Sequence, residues 1–191
     1  MTGDRLLRTF LAVKLPGRVV DLQRMLKSTL TLKKGNLRWV KPGQIHLTLK
    51  FLGHTPRETI PDIIAALRSV LESTQAFESR LAGTGCFPKP ERPRVLWLGV
   101  TENRDRIQAL AQSVDRALEP LGFPPEEEEY QPHVTLARIK YPPKWTPDIG
   151  EFLRTDYEPL PFQLYRVELM SSELFPDGPV YSSLHTFTLQ P

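Results

Sequence analysis

The sequence predicts an α+β fold of two lobes, made of duplicated β-α-β units whose antiparallel sheets face each other across a central cleft about a pseudo-twofold axis. Three observations carry this reading. A His-x-Thr-x tetrapeptide occurs twice, as His46-Leu47-Thr48-Leu49 and His133-Val134-Thr135-Leu136, in a chain with only 4 histidines. The same separation of 87 residues lays Phe10-Leu11-Ala12-Val13 on Trp97-Leu98-Gly99-Val100. Between strand and motif, each copy carries an apolar stripe at helical spacing. With 191 residues the chain has the length of one sizeable domain, expected to be a single two-lobed unit over residues 1–191.

The elements follow in order. Phe10–Val13 and Trp97–Val100 are apolar runs with charged residues upstream, which predicts strands. Leu22, Met25, Leu26 and Leu30 define the first helix, and Ile107, Leu110, Ala111, Val114 and Leu118 define its counterpart more clearly. Ile60, Ile63, Ile64, Leu67 and Leu71 predict a further helix starting near Pro56, followed by a strand from Phe77 to Cys86. Leu160 to Leu174 and Val180 to Leu189 read as two strands joined by the turn Pro176-Asp177-Gly178-Pro179.

The chemistry comes from the motif strands. Successive side chains on a strand point to opposite faces, so each His shares a face with its Thr about 6.7 Å away, while Leu47, Leu49, Val134 and Leu136 face a core. Facing lobes would gather His46, Thr48, His133 and Thr135 around one cleft. Two imidazoles can serve one substrate as general base and general acid, because their ordinary pKa makes both protonation states available near neutrality. Hydroxyl groups can hold the non-bridging oxygens of a phosphate. The reaction class this set suits is in-line displacement at phosphorus.

A metal centre fits less well. Catalytic zinc takes three protein ligands, and neither motif places a carboxylate beside its His. No metal is expected. His54, after Gly53, reads as a solvated turn residue, and His185, with Phe187 two positions on, reads as structural. Cys86 is the only cysteine, which excludes an internal disulfide framework and suits a reducing cytoplasm, where its thiol would be an inert small hydrophobe. The N-terminal stretch is broken by Arg8 and Lys14, so no signal peptide is read there, and no apolar run approaches a membrane span. The formal charge of +3 and pI near 9.1 allow a polyanionic partner without approaching an architectural nucleic-acid binder. Prolines, 19 in all, concentrate in short connections that read as ordered and stiff.

The twin motifs, with the flanking segments WVKPGQIHLTLKFLG, RPRVLWLGV, PHVTLAR and GPVYSSL, resemble the two-histidine phosphoesterase superfamily. Within it the chain is similar to the LigT-like RNA 2′,3′-cyclic phosphodiesterases, also called the 2′-5′ RNA ligase family. The resemblance implies hydrolysis of a terminal 2′,3′-cyclic phosphate on RNA, tRNA fragments being one possible source, to a 2′-phosphomonoester. It further implies a monomer working without a metal or an organic cofactor. By the same resemblance His46 is the proton donor to the leaving 3′ oxygen, His133 the base that activates water, and Thr48 and Thr135 the phosphate holders. Cleavage or reversible formation of 2′-5′ linkages uses the same displacement and stays open as an alternative. A non-catalytic module that binds RNA ends or nucleotides is an alternative of another class.

The family often carries an arginine in text like R-x-F-x-P-H before the second motif. This chain has Glu126-Glu127-Glu128-Glu129-Tyr130-Gln131-Pro132-His133 instead. Strand parity puts Lys50 on the motif face, where it could compensate, and turns Arg138 away from the cleft unless a bulge intervenes. Tyr130 and Tyr181 are candidates to stack on a terminal base.

Overall fold

The computed structural model describes residues 6–30, 37–140, 147–176 and 178–191. In chain order the elements are β1 (Leu6–Lys14), α1 (Arg18–Ser28), β2 (Leu37–Trp39), β3 (His46–Pro56), α2 (Ile60–Leu71) and β4 (Phe77–Phe87). There follow β5 (Val95–Val100), α3 (Arg104–Leu118), β6 (His133–Ile139), α4 (Gly150–Arg154), β7 (Leu160–Leu164), β8 (Arg166–Phe175) and β9 (Gly178–Thr188). Both predicted units are there, β1-α1-β3 and β5-α3-β6. The strands pair antiparallel in the order β7-β4-β5-β6-β3-β1-β8-β9, with β2 added on β6.

The two lobes are the two halves of that order. β3, β1, β8 and β9 form one, and β6, β5, β4 and β7 form the other. Their strands join where the motif strands touch, with Leu47 and Val134 the paired position between β3 and β6. The duplicated strands therefore lie at the centre of the molecule and the later elements are shared out to the flanks. β4 and β7 go to the second lobe, β8 and β9 return to the first.

Helix faces follow the burial that their side chains can satisfy. In α3, Ile107, Leu110, Ala111, Val114 and Leu118 are all buried, as their spacing predicts. Of the stripe expected for α1, Leu26 and Leu30 are buried and Leu22 packs partly buried against the core, while Met25 is exposed and Val19 and Gln23 complete the buried stripe. The amide of Gln23 donates to Val40 O at 2.9 Å and Leu136 O at 3.1 Å and so can be buried without loss. The core between sheets and helices includes Leu11, Leu47, Leu49, Val134 and Leu136, each stabilising the fold by about 1.5–3 kcal/mol when fully buried.

Three readings are revised. Leu160 to Leu174 is two strands, broken at Tyr165, whose carbonyl accepts the Leu189 N–H at 2.9 Å where the chain passes from one lobe to the other. Gly53 and His54 lie inside β3, where φ of +73° at Gly53 accompanies a register irregularity against β1; His54 is exposed. β2 and α4 are additional, and too short to show a periodicity. Of the expected 176–179 turn, Asp177 lies outside the described residues, as do Met1 to Arg5 of the N-terminal stretch.

Each motif strand carries a β-bulge at the same place. On β3, Lys50 is opposite Leu11 and Thr48 opposite Ala12, so Leu49 is the extra residue. On β6, Ala137 is opposite Leu96 and Thr135 opposite Trp97, so Leu136 is extra. These two leucines are themselves 87 residues apart. An extra residue reverses which face every later side chain takes. Lys50 and Ala137 are thus buried, and Phe51 and Arg138 emerge on the side of the motif residues.

Candidate active site

The two histidines are held in the same way by their own strands. His46 Nδ1 lies 2.7 Å from Gln44 O, and His133 Nδ1 lies 2.7 Å from Gln131 O. A carbonyl oxygen only accepts, so each Nδ1 carries a proton and each Nε2 is left for chemistry. The anchoring residues are also equivalent, since Gln44 and Gln131 stand two positions before their histidines. Gln44 does more than its counterpart: its side-chain amide donates to Pro179 O on β9, tying the turn before His46 to the terminal hairpin.

Aromatic walls complete both settings. The ring of Phe10 stacks on His46 at 5.0 Å and Tyr181 meets it edge-on at 5.6 Å. Phe87 meets His133 edge-on at 4.9 Å, and Trp97 lies 6.3 Å from it. Phe10 and Trp97 are another pair at the 87-residue offset. Trp97 can lie where it does because Gly85 faces it; a Cβ there would stand 2.1 Å from the indole.

The contact between lobes arranges the four motif residues crosswise. One step either side of the Leu47–Val134 pair, an antiparallel register brings Thr48 level with His133 and Thr135 level with His46. Each threonine therefore stands beside the histidine of the other lobe. Among the described residues neither hydroxyl is engaged by a side chain or backbone group, which leaves both free to donate to an anion.

Burial lowers the pKa of both histidines below the ordinary 6.5; the Nδ1 hydrogen bonds oppose this shift and the charge of Arg138 adds to it. The charge of Arg138 reaches both histidines and Tyr181, and that of Arg8 also reaches Tyr181. Arg38 on β2 is the cross-strand neighbour of Arg138, making this flank basic.

The remaining candidates divide. Lys50 is engaged away from the motif face: it is 5% exposed, with its ammonium 2.5 Å from Asp115 Oδ1 of α3 and 2.8 Å from Pro124 O. The bulge at Leu49 is the cause. Arg138 joins the cleft, against regular parity, through the bulge at Leu136. Tyr181 faces the site from β9 and packs against Phe10 at 5.0 Å as well as His46. Tyr130 is committed otherwise, its hydroxyl donating to Thr48 O at 2.7 Å, and burial raises its pKa strongly. That bond braces the motif strand, and Tyr130 also lines the cavity beside His133. His185 packs on Phe187 at 4.6 Å, away from this group. Cys86 is partly buried, and burial together with Glu91 pushes its thiol pKa up. Among the described residues no three His, Cys, Asp or Glu side chains converge as metal ligands.

Beside His133 opens a cavity of about 1040 Å³. Thr48, Lys50, Phe51, Trp97 and His133 border it on the strands, with Asp115, Tyr130 and the exposed segment Glu126–Glu129 completing the lining. It is large enough for a nucleotide-sized ligand.

A two-lobed antiparallel sheet with one His-x-Thr strand contributed by each lobe defines the two-histidine phosphoesterase class. Residues 16–174 match the model of the 2′-5′ RNA ligase superfamily, and the chain belongs to that family. It is 35% identical over 185 residues to an RNA 2′,3′-cyclic phosphodiesterase of Methanothermobacter thermautotrophicus, covering 95% of this chain and 98% of the relative. A Thermotoga maritima protein of the same name is 33% identical over 180 residues, with 94% of each chain covered. Among solved structures, a Thermus thermophilus protein superposes with a TM-score of 0.80 at 33% identity, over 96% of this chain and 98% of that one. E. coli LigT complexed with 3′-AMP shares the fold, with a TM-score of 0.76 at 20% identity over 98% of this chain and 100% of that one. No described helix is long and apolar enough to cross a membrane.

Proposed function

We propose that this chain is an RNA 2′,3′-cyclic phosphodiesterase that opens the terminal cyclic phosphate to a 2′-phosphomonoester by His/His acid-base catalysis without a metal. The observation that carries the reading is the pair of Nδ1-anchored histidines, one per lobe, each level with a hydroxyl of the other lobe. The relatives named for this activity support the same substrate. Water attacks phosphorus as His133 Nε2 removes its proton, the bond from phosphorus to the 3′ oxygen breaks, and His46 gives its Nε2 proton to that oxygen. Thr48, Thr135 and Arg138 hold the non-bridging oxygens, where charge is concentrated as the transition state forms. Tyr181, backed by the buried Phe10, offers the terminal nucleoside an aromatic surface beside His46.

In buffer containing EDTA, adenosine 2′,3′-cyclic phosphate should be converted to adenosine 2′-phosphate, as read by phosphorus NMR. Appearance of the 3′-phosphate, or a requirement for a divalent ion, would overturn the reading.

The pH dependence follows from the lowered histidine pKa values. The productive free enzyme has His46 protonated and His133 neutral, and its population peaks midway between their two pKa values. Both lie below 6.5, so kcat/KM should peak on the acid side of 6.5. It should fall as pH rises because His46 loses its proton, and as pH drops because His133 gains one. A pH series of initial rates with a maximum above neutrality would contradict the assignment.

A further inference from the structure

The acidic run before the second motif sits at the side of the site where oxygen is exchanged. Glu126, Glu127, Glu128 and Glu129 border the cavity that His133 and Thr48 enter. All four are exposed, and among the described residues none is ion-paired; Glu129 alone has a polar contact, from Gln108 Nε2 at 3.3 Å. Arg138, with Arg38 across from it on β2, stands five positions beyond His133 on β6. Of the two histidines only His133 borders this acidic-lined cavity, and neither Arg138 nor Arg38 does.

In an in-line displacement the entering and departing oxygens lie on opposite sides of phosphorus, and each is served by its own histidine. In hydrolysis the oxygen facing His133 belongs to water. In 2′-5′ ligation it would be the 5′ oxygen of a second RNA, which attacks phosphorus, loses its proton to His133 and displaces the 3′ oxygen. Cleavage of a 2′-5′ linkage is the same step reversed, with the 5′ oxygen departing and taking its proton from His133. Water brings no charge into the cavity. An RNA strand there brings its next phosphate against four carboxylates, and like charges brought together at a rim are repelled and the encounter slowed.

We propose that the segment Glu126–Glu129 is a specificity determinant that reserves the exchange side of the site for water and turns away a second RNA strand. This rests on the reading of His133 as the group that faces the exchanged oxygen. It makes the chain a hydrolase of RNA ends rather than an enzyme that forms or cuts 2′-5′ linkages between longer strands.

The test compares wild type with the triple variant Glu126→Gln, Glu127→Gln, Glu128→Gln, and with Glu127→Lys, at exposed positions where folding is little affected. Three substrates are used: adenosine 2′,3′-cyclic phosphate, the 2′-5′-linked adenosine dinucleoside monophosphate, and the 2′-5′-linked tetra-adenylate. Only the tetramer places a further phosphate beside the carboxylates. Its cleavage should rise about tenfold in the triple variant at low salt, and more in Glu127→Lys, with the gain fading toward about 0.5 M salt as screening shortens the reach of the charges. Hydrolysis of the cyclic phosphate should stay within about twofold. No gain on the tetramer, or an equal gain on dimer and tetramer, overturns the proposal. A wild-type protein that leaves the cyclic phosphate untouched would instead remove the reading on which it rests.

Discussion

Replacing His133 with alanine should lower kcat/KM for a 2′,3′-cyclic nucleotide by about 10²- to 10⁴-fold, the range expected for losing a positioned general base or acid. His46→Ala should fall in the same range. The double variant should be little worse than either single one, because acid and base act in one step and their losses do not multiply. Both variants should remain folded, since each loses one hydrogen bond worth about 1 kcal/mol, and circular dichroism melts would check this. A chromogenic substrate separates the two roles. In a nucleoside 2′-(p-nitrophenyl phosphate) the departing phenolate needs no proton, so the group on the exchange side becomes dispensable. His133→Ala should then lose much less activity than His46→Ala. Equal losses on that substrate, or full turnover by either variant on the cyclic one, would refute the assignment.

The second large effect is on stability, at the position where strand parity pointed to substrate. Asp115→Ala should destabilise the fold by about 3 kcal/mol, because it leaves the Lys50 ammonium buried without its carboxylate. Lys50→Met should cost much less, as the apolar stem is kept and the charge that remains, Asp115, is the more exposed partner. Urea denaturation midpoints would show the contrast. Activity per folded molecule should change far less in either variant than in the histidine variants. If Lys50→Met instead lost activity a hundredfold while keeping its stability, the lysine would have to reach the substrate.

Lys50 and Arg138 also show where sequence reasoning stopped. Strand alternation is a rule about neighbours, and it held across His46 to Leu49 and His133 to Leu136, which is why the four motif residues could be placed from their spacing alone. One extra residue in each strand then reversed the faces, and the two cations changed places. On β6 the adjacent apolar pair Leu136-Ala137 is a visible break in alternation and could have signalled the bulge. On β3 the charge of Lys50 hid the same break. Gln44 and Gln131 were harder to find, because what they contribute to the histidines is a backbone carbonyl that every residue type possesses. The repeat of Gln two positions before His was nevertheless there at the common offset. Strand sharing between lobes was not legible at all: the return of β8 and β9 to β1 is a long-range pairing that leaves no local periodicity. The buried Gln23 escaped for the opposite reason, since its polarity argued against the face that its two carbonyl partners allow.

The equivalence of Phe51 and Arg138 has a consequence for how a substrate can lie. They are 87 residues apart, each two positions beyond its bulge, and each emerges toward the motif residues, one as an exposed ring and the other as a guanidinium. A site with perfect twofold symmetry would accept a cyclic phosphate in two orientations of equal free energy, and the histidines would be interchangeable. A cation on one side and an aromatic face on the other lift that degeneracy, with each ~1.4 kcal/mol of difference favouring one orientation tenfold. Broken symmetry at this pair, added to the acidic run that borders only His133, gives a duplicated scaffold a direction, and a substrate with a distinct 2′ and 3′ oxygen can only be read by a site that has one.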